Sequence, residues 1–432
     1  MPHLVDHSLS RLRAALTGPL MRGFGAYGGA ELANRVVRVV ATVVIARQLA
    51  PAIVGEAALA LTLFELIRVL SGIGIGQRII AASDGELAAV CNTARRLFWG
   101  WALVLVAVQA MVAAVLWLGF GAAGPAAMLA VLALVYPVMP AGLVQCYLAM
   151  REGRNAALAR TAASQAIADH VLTAALLLAW PSPWSVVLPK LITAPVWLMM
   201  TRRNRPWPAD ALAGYACWRG MVRFGGGVLV AEGLTALRQQ GDNLVIVATM
   251  GSSALGTYYF AYNAGLGIVT SLVGAFGTVS FPMLCAAPSG PRRLAVLRSV
   301  LIGGTALFVP LVAAQALLAP IYVPIVFGAH WAFAAPLIAI LCLAGLAQLV
   351  SVLTANWLRA EGRVGSDAGR SLLSLTLALG GLYAGARTGS LTAAVIGLVA
   401  GTLLAATISA AITLAPALRR TSPATLATEQ PA

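Results

Sequence analysis

The sequence predicts an all-α polytopic membrane protein of about 12 transmembrane helices, arranged as two six-helix lobes related by a parallel internal repeat. Three observations predict it. First, 60% of the 432 residues are hydrophobic and only 10% are charged, with mean hydropathy +0.87. A soluble fold of this length could not hide so much apolar surface. Second, apolar runs near the 20 residues that cross a bilayer recur along the chain. Third, basic residues gather in alternate connections between those runs. Arg11, Arg13 and Arg22 begin the pattern. Arg78, Arg95 and Arg96 follow, then Arg151, Arg154 and Arg160. Next come Arg202, Arg203, Arg205, Arg219 and Arg223, then Arg292, Arg293 and Arg298, then Arg359, Arg363 and Arg370, and finally Arg419 and Arg420. The intervening connections carry only Arg47 and Arg387. The positive-inside bias produces this 22-to-2 division and predicts an even number of spans with both termini cytoplasmic.

The runs place twelve spans at 27–48, 53–75, 97–118, 125–149, 158–180, 184–201, 223–249, 255–284, 297–318, 333–357, 369–386 and 390–416. The expected organisation is a cytoplasmic tail over 1–26, a six-helix lobe over 27–201, a linker over 202–222, a second lobe over 223–416 and a tail over 417–432. The linker is the longest connection, and Arg202, Arg203, Asn204, Arg205, Pro206, Trp207 and Pro208 make it polar and proline-containing. A shift of 201 residues pairs Arg22 with Arg223, Gly25 with Gly226, Glu31 with Glu232, Gly55 with Gly256 and Ala60 with Ala261. Six spans preserve orientation, so the repeat is parallel, a transporter design with its site at the repeat interface. Pro137, Pro140, Pro189 and Pro195, and Gly72, Gly74 and Gly76, are kink or close-packing positions.

Composition also excludes function classes. A net charge of +15 dispersed among loops suits topology and anionic headgroups better than nucleic acid. Cys91, Cys146, Cys217, Cys285 and Cys342 are widely spaced, which argues against a disulfide framework, and with no HExxH we expect no metal site and no cofactor. The first 22 residues hold no continuous apolar stretch of the kind a cleaved signal peptide needs. Neither a nucleophile–base grouping nor a phosphate-binding loop is visible, so no enzyme is expected.

Ionisable residues at bilayer depth are costly unless paired or hydrated, which makes them functional candidates. Span one holds Glu31, Arg35 and Arg38 on one stripe, and span two holds Glu65 and Arg68. Span five carries Thr161, Gln165, Asp169 and Thr173 at four-residue intervals, with His170 beside them. Span six has Lys190, placed either to snorkel outward or to line a cavity. Span seven has Glu232, Arg238 and Asp242, the last two sharing a face. Span eight offers Tyr259, Tyr262 and Asn263. The expected cavity is central and lined by spans one, two, seven and eight. Arg35, Arg38, Arg68, Arg238, Tyr259, Tyr262 and Asn263 are its substrate-binding candidates. Glu31, Glu65, Asp169, Lys190, Glu232 and Asp242 are its charge or coupling candidates. Arginine forks match phosphate and carboxylate oxygens, and tyrosines stack on sugar faces. The competing reading is structural charge pairing at Glu31–Arg35, Glu65–Arg68 and Arg238–Asp242. Trp184 and Trp331 read as interfacial belt residues.

Ala46-Arg-Gln-Leu-Ala-Pro51, Val54-Gly55 and the run to Gly76-Gln77 resemble the first hairpin of Wzx-type polysaccharide flippases. Arg223-Phe-Gly through Asp242, then Gly251, Leu255-Gly256-Thr-Tyr258 and Ala261-Tyr262, resemble the second-half hairpin of that family. Phe281-Pro282, Gly328, Trp331, Ala335, Pro336 and Leu358-Arg-Ala-Glu-Gly362-Arg363 are similar to its later signatures. The resemblance implies the multidrug/oligosaccharidyl-lipid/polysaccharide exporter superfamily, two lobes moving lipid-linked sugars by alternating access, and cavity charges at Arg38, Arg68, Arg238 and Asp242. It also implies a bacterial inner-membrane protein acting as a monomer on lipid-linked oligosaccharide, alongside a polysaccharide polymerase and chain-length proteins. Two other functions compete: an ion-coupled multidrug antiporter of the same superfamily, and a membrane subunit of a polysaccharide assembly complex.

Overall fold

The computed structural model describes residues 19–71 and 74–419, and within these the side chains of 19–33, 223–231, Ala211, Val364 and Arg419 lie outside the description. Among the described residues fourteen α-helices follow one another: α1 Pro19–Gln48, α2 Pro51–Val69, α3 Ile75–Ala81, α4 Leu87–Phe120, α5 Ala123–Leu132, α6 Pro140–Arg151, α7 Asn155–Ala179, α8 Trp184–Asn204, α9 Trp218–Ala264, α10 Leu266–Ala286, α11 Pro291–Val326, α12 Ala335–Ala360, α13 Val364–Ala386 and α14 Leu391–Arg419. Among the described residues there is no strand. The chain is a multi-pass membrane protein. Eight described helices are long and apolar enough to cross a bilayer, or up to nine if the bent pair at residues 123–151 is one span. The expected twelve is therefore not reproduced as a count. Helix α2 shows why charge matters: Glu56, Glu65 and Arg68 interrupt its 19 residues.

Breaks fall where backbone chemistry demands them. Pro137 sits in the connection and Pro140 opens α6, where α5 and α6 are bent by 59°, because proline lacks the amide that would continue the ladder. Pro189 and Pro195, by contrast, lie inside an unbroken α8. Gly72 is outside the described residues. Gly74 adopts φ 49° before α3, and a methyl on Gly76 would overlap the Tyr147 ring. Within α9, Gly251 adopts φ 86° and ψ 178°, a region favouring glycine. The chain folds back there: the Tyr258 hydroxyl donates to Asp242 Oδ2 at 2.6 Å, although sixteen residues of straight helix would separate them by about 24 Å. The expected span eight is also divided, at Gly265 between α9 and α10.

Two compact units form, one from residues 36–259 and one from residues 1–35 with 260–432. Inside the first, Phe64, Leu105, Met128, Leu129, Leu132, Tyr136 and Val187 form one core cluster, and Ile75, Ile79, Phe98, Val144 and Leu148 another. Several buried polar groups are paired, as low dielectric favours. Tyr136 donates to Gln109 Oε1 at 2.8 Å, and Gln109 Nε2 donates to the Leu129 carbonyl at 2.6 Å. Arg151 caps α3, donating to the carbonyls of Ile79, Ile80 and Ala82. The segment after α8 is docked: Asn92 Nδ2 donates to the Asp210 and Gly214 carbonyls at 2.6 and 3.0 Å. Its Arg205 pairs with Glu152 at 2.6 Å.

In the second unit, α13 and α14 pack through Gly381, Gly385, Gly397 and Gly401, each facing backbone of the other helix so closely that a methyl would overlap it. Glycines four apart on both helices are a close-approach seam suited to lipid, where small residues let backbones touch. Trp331 is not an interfacial belt residue. It is fully buried, its ring 4.0 Å from that of Phe260 and 6.0 Å from that of Phe333.

Candidate functional site

The unit of residues 36–259 holds an open-sided cavity of about 380 Å³, lined by α2, the α5–α6 bend, α7 and α8. The bend supplies Val135, Val138 and Met139, where the helix ladder opens at Pro137. Two ion pairs face the cavity. Arg68 Nε donates to Glu65 Oε2 at 2.7 Å, one turn apart on α2. Lys190 Nζ of α8 donates to Asp169 Oδ2 of α7 at 2.7 Å. Asp169 is buried and Lys190 keeps about a third of its side chain exposed. The other carboxylate oxygen of Asp169 is buried without a hydrogen-bond partner among the described residues. Gln165, His170, Thr193 and Trp197 complete the polar part of the lining.

Local sequence explains this convergence. The four-residue stripe Thr161, Gln165, Asp169 and Thr173 occupies one side of α7. Thr161 and Thr173 return their hydroxyls to carbonyls four residues earlier, leaving Gln165 and Asp169 for the cavity. On α8, Lys190, Thr193 and Trp197 follow i, i+3, i+7 spacing, which presents one face. Thr193 and Trp197 were missed as site residues, though that spacing marks them. Lys190 does not snorkel outward, because Asp169 holds it inside.

The other predicted residues divide. Arg38 and Tyr259 lie close enough to Asp169, His170, Lys190 and Glu65 to share their electrostatic field. Arg35 is buried in the other unit, where it donates to the Ile268 carbonyl at 3.0 Å. Tyr262 and Asn263 belong to that unit too and are half-buried. The Glu31 side chain lies outside the described residues, as does any Glu31–Arg35 pair. Glu232 is half-buried, near Tyr147. Arg238 is exposed and forms no ion pair with Asp242. Asp242 instead accepts from Tyr258 and from the Asn243 amide, because the Gly251 turn brings Tyr258 back to it. The cavity described here is thus built by the helices of predicted spans two, four, five and six. Spans one, seven and eight supply no lining residue to it.

A family model described as "Polysaccharide biosynthesis protein" matches residues 44–336. The chain belongs to that family. No curated protein matches it. Among solved structures, an inward-facing multidrug resistance MATE family transporter of the MOP superfamily is 17% identical with TM-score 0.67, covering 90% of this chain and 96% of the transporter. The lipid II flippase MurJ, in an inward closed conformation, is 10% identical with TM-score 0.68, covering 90% of this chain and 87% of the flippase. A MOP superfamily transporter from Pyrococcus furiosus, whose binding pocket is described as reversed in polarity, is 16% identical with TM-score 0.57, covering 94% and 98%. These similarities show that this polysaccharide biosynthesis protein has the fold of membrane transporters and flippases.

Proposed function

We propose that this protein is an inner-membrane flippase that moves undecaprenyl-diphosphate-linked oligosaccharide for surface polysaccharide, by alternating access, with both termini cytoplasmic. The observation that carries the reading is the cavity of residues 36–259, which sets charged and aromatic groups within helices otherwise suited to lipid. Its Arg68 and Lys190 offer donors to phosphate or acidic sugar oxygens. Trp197 offers an apolar wall to a sugar face. Membership of the polysaccharide biosynthesis family supports the cargo class. The polyprenyl tail stays in lipid while the polar head crosses a hydrated path. Arg38 extends the cation set toward Tyr259, and Glu65 and Asp169 set its charge balance.

The ion-coupled drug antiporter gains less support. A cation-exchange site favours a free carboxylate, and both carboxylates lining this cavity already hold a cation. Deleting the gene tests the flippase reading. Lipid-linked oligosaccharide should accumulate on the cytoplasmic leaflet, and the intact gene should clear it. An unchanged intermediate pool contradicts the proposal.

A further inference from the structure

A second polar concavity lies away from the charged cavity, at the arginine-rich end of α4 and α8. It measures about 460 Å³ and is lined by Arg95, Trp99, Gln145, Arg202, Trp207 and the flanking prolines Pro206 and Pro208, among others. Its depth follows from α4. Trp99 and Trp117 are 40% and 62% exposed and eighteen residues apart, about 27 Å along the helix. That matches a hydrocarbon core of about 30 Å with a tryptophan at each interface. Arg95 stands one turn beyond Trp99, about 6 Å farther out, at the level of headgroup phosphates. On helix α8, Trp184 lies near one end and Arg202 near the other, about 27 Å apart.

The walls are fixed before any ligand arrives. Trp207 packs against the core cluster around Phe98 and Val144. Asn92 and Glu152 pin the segment that carries Trp207. Arg202 Nε donates to the Ala141 carbonyl at 3.0 Å, which leaves its terminal nitrogens to donate elsewhere. Glu152 already pairs with both Arg154 and Arg205, whereas Arg95 has no hydrogen-bond or ion-pair partner among the described residues. Gln145 supplies a second, independent signal. It is 8% exposed, lines the concavity and makes no hydrogen bond among the described residues. Its amide reaches the surface of the concavity, where a ligand oxygen could take up its hydrogen bonds.

We propose that this groove binds the phosphoglycerol headgroup of an anionic phospholipid. Arg95 and Arg202 meet the phosphate, Gln145 meets a glycerol or phosphate oxygen, and Trp99 and Trp207 flank the upper acyl chain. A lipid, rather than a free anion, fits a groove that opens at the interface with indoles on its apolar side. The assignment does not rest on the transport reading.

Native mass spectrometry of the full chain in detergent tests it, with phosphatidylglycerol, phosphatidylcholine and inorganic phosphate as probes. The wild type should retain one phosphatidylglycerol at concentrations where phosphatidylcholine does not bind. Arg95→Gln should weaken that retention roughly tenfold, as losing a charged hydrogen bond does. Gln145→Met, close in shape, should weaken it with no loss of charge. Unfolding temperatures matching the wild type identify variants that fold. Equal retention of phosphatidylglycerol by wild type and both variants overturns the proposal. So does displacement of the lipid by millimolar phosphate, which would mark a free-anion site.

Discussion

Gly55 and Gly256 face each other across a helix crossing, and each occupies the other's contact. A methyl on Gly55 would overlap the Ser252 carbonyl oxygen, and one on Gly256 would overlap the Pro51 carbonyl oxygen. Pro51 and Ser252 are separated by the same 201 residues as Gly55 and Gly256. A reciprocal contact of this kind is what a two-fold relation produces where its axis passes between equivalent residues. The 201-residue spacing thus joins residues that touch. Gly251, where the chain turns back, likewise corresponds to Ala50, the turn before α2.

Gly55→Ala and Gly256→Ala should each destabilise the protein by about 1–3 kcal/mol through overpacking, and by similar amounts because the contacts are equivalent. Gly100→Ala supplies the control. It lies in α4 with open space around its Cβ position, so it should stabilise slightly, by up to about 1 kcal/mol. Thermal unfolding in detergent measures all three.

The Asp169–Lys190 pair should behave as a unit. Removing one partner strands a charge in a low-dielectric site, at a cost of about 3 kcal/mol, the low end for a buried pair because Lys190 is partly exposed. Lys190→Met and Asp169→Asn should each destabilise. The double variant should lose less than the sum of the two. Additive losses in a double-mutant cycle would show that the two side chains act separately.

Asp367 gives a pH signature outside the membrane-spanning segments. Burial alone raises its pKa, but the hydrogen bonds and charges of Arg370 and Arg359 hold it below the usual carboxylate value. Arg359 Nε and Arg370 Nη2 each donate to it at 2.8 Å. A depressed folded-state pKa contributes stability that is full above the unfolded value near 4 and is lost as pH falls through the folded value. Asp367→Asn should therefore destabilise at pH 7, and the gap from wild type should close progressively below about pH 4. Unfolding midpoints across pH 3–7 follow this.

Asn92→Ala should release the segment between α8 and α9. Its amide holds two carbonyls there, and Thr93 holds the Ala216 carbonyl at 3.1 Å. Limited proteolysis should cut between Arg205 and Cys217 faster in the variant, while the helical content stays unchanged.

The legible and illegible parts of this fold separate by range. Helix-forming apolar runs, the Pro137–Pro140 bend and the polar stripe of α7 rest on local chemistry, so the sequence displays them. Glu65–Arg68 was readable for the same reason, since one turn of α2 joins them. Arg238–Asp242, four residues apart on one face, also looked like a pair and failed: the fold-back at Gly251 brings Tyr258 to the carboxylate. Lys190 required knowing that α8 packs beside α7, twenty-one residues earlier in the chain, which periodicity does not encode. Trp331 misled because tryptophan suits both interfaces and cores, and its neighbours Phe260 and Phe333 decide between them.

The central claim is that the cavity of residues 36–259 handles the polar head of a lipid-linked sugar. Arg68 is its most accessible cation, with 44% of its side chain exposed, so replacing it leaves the fold intact. The direct measurement is flipping of a fluorescent undecaprenyl-diphosphate oligosaccharide in vesicles containing wild type or Arg68→Gln. The account predicts translocation by the wild type and at least a tenfold slower rate in the variant, the loss of about one charged hydrogen bond, at unchanged unfolding temperature. Equal rates for the two proteins, or no translocation by the wild type, would contradict it.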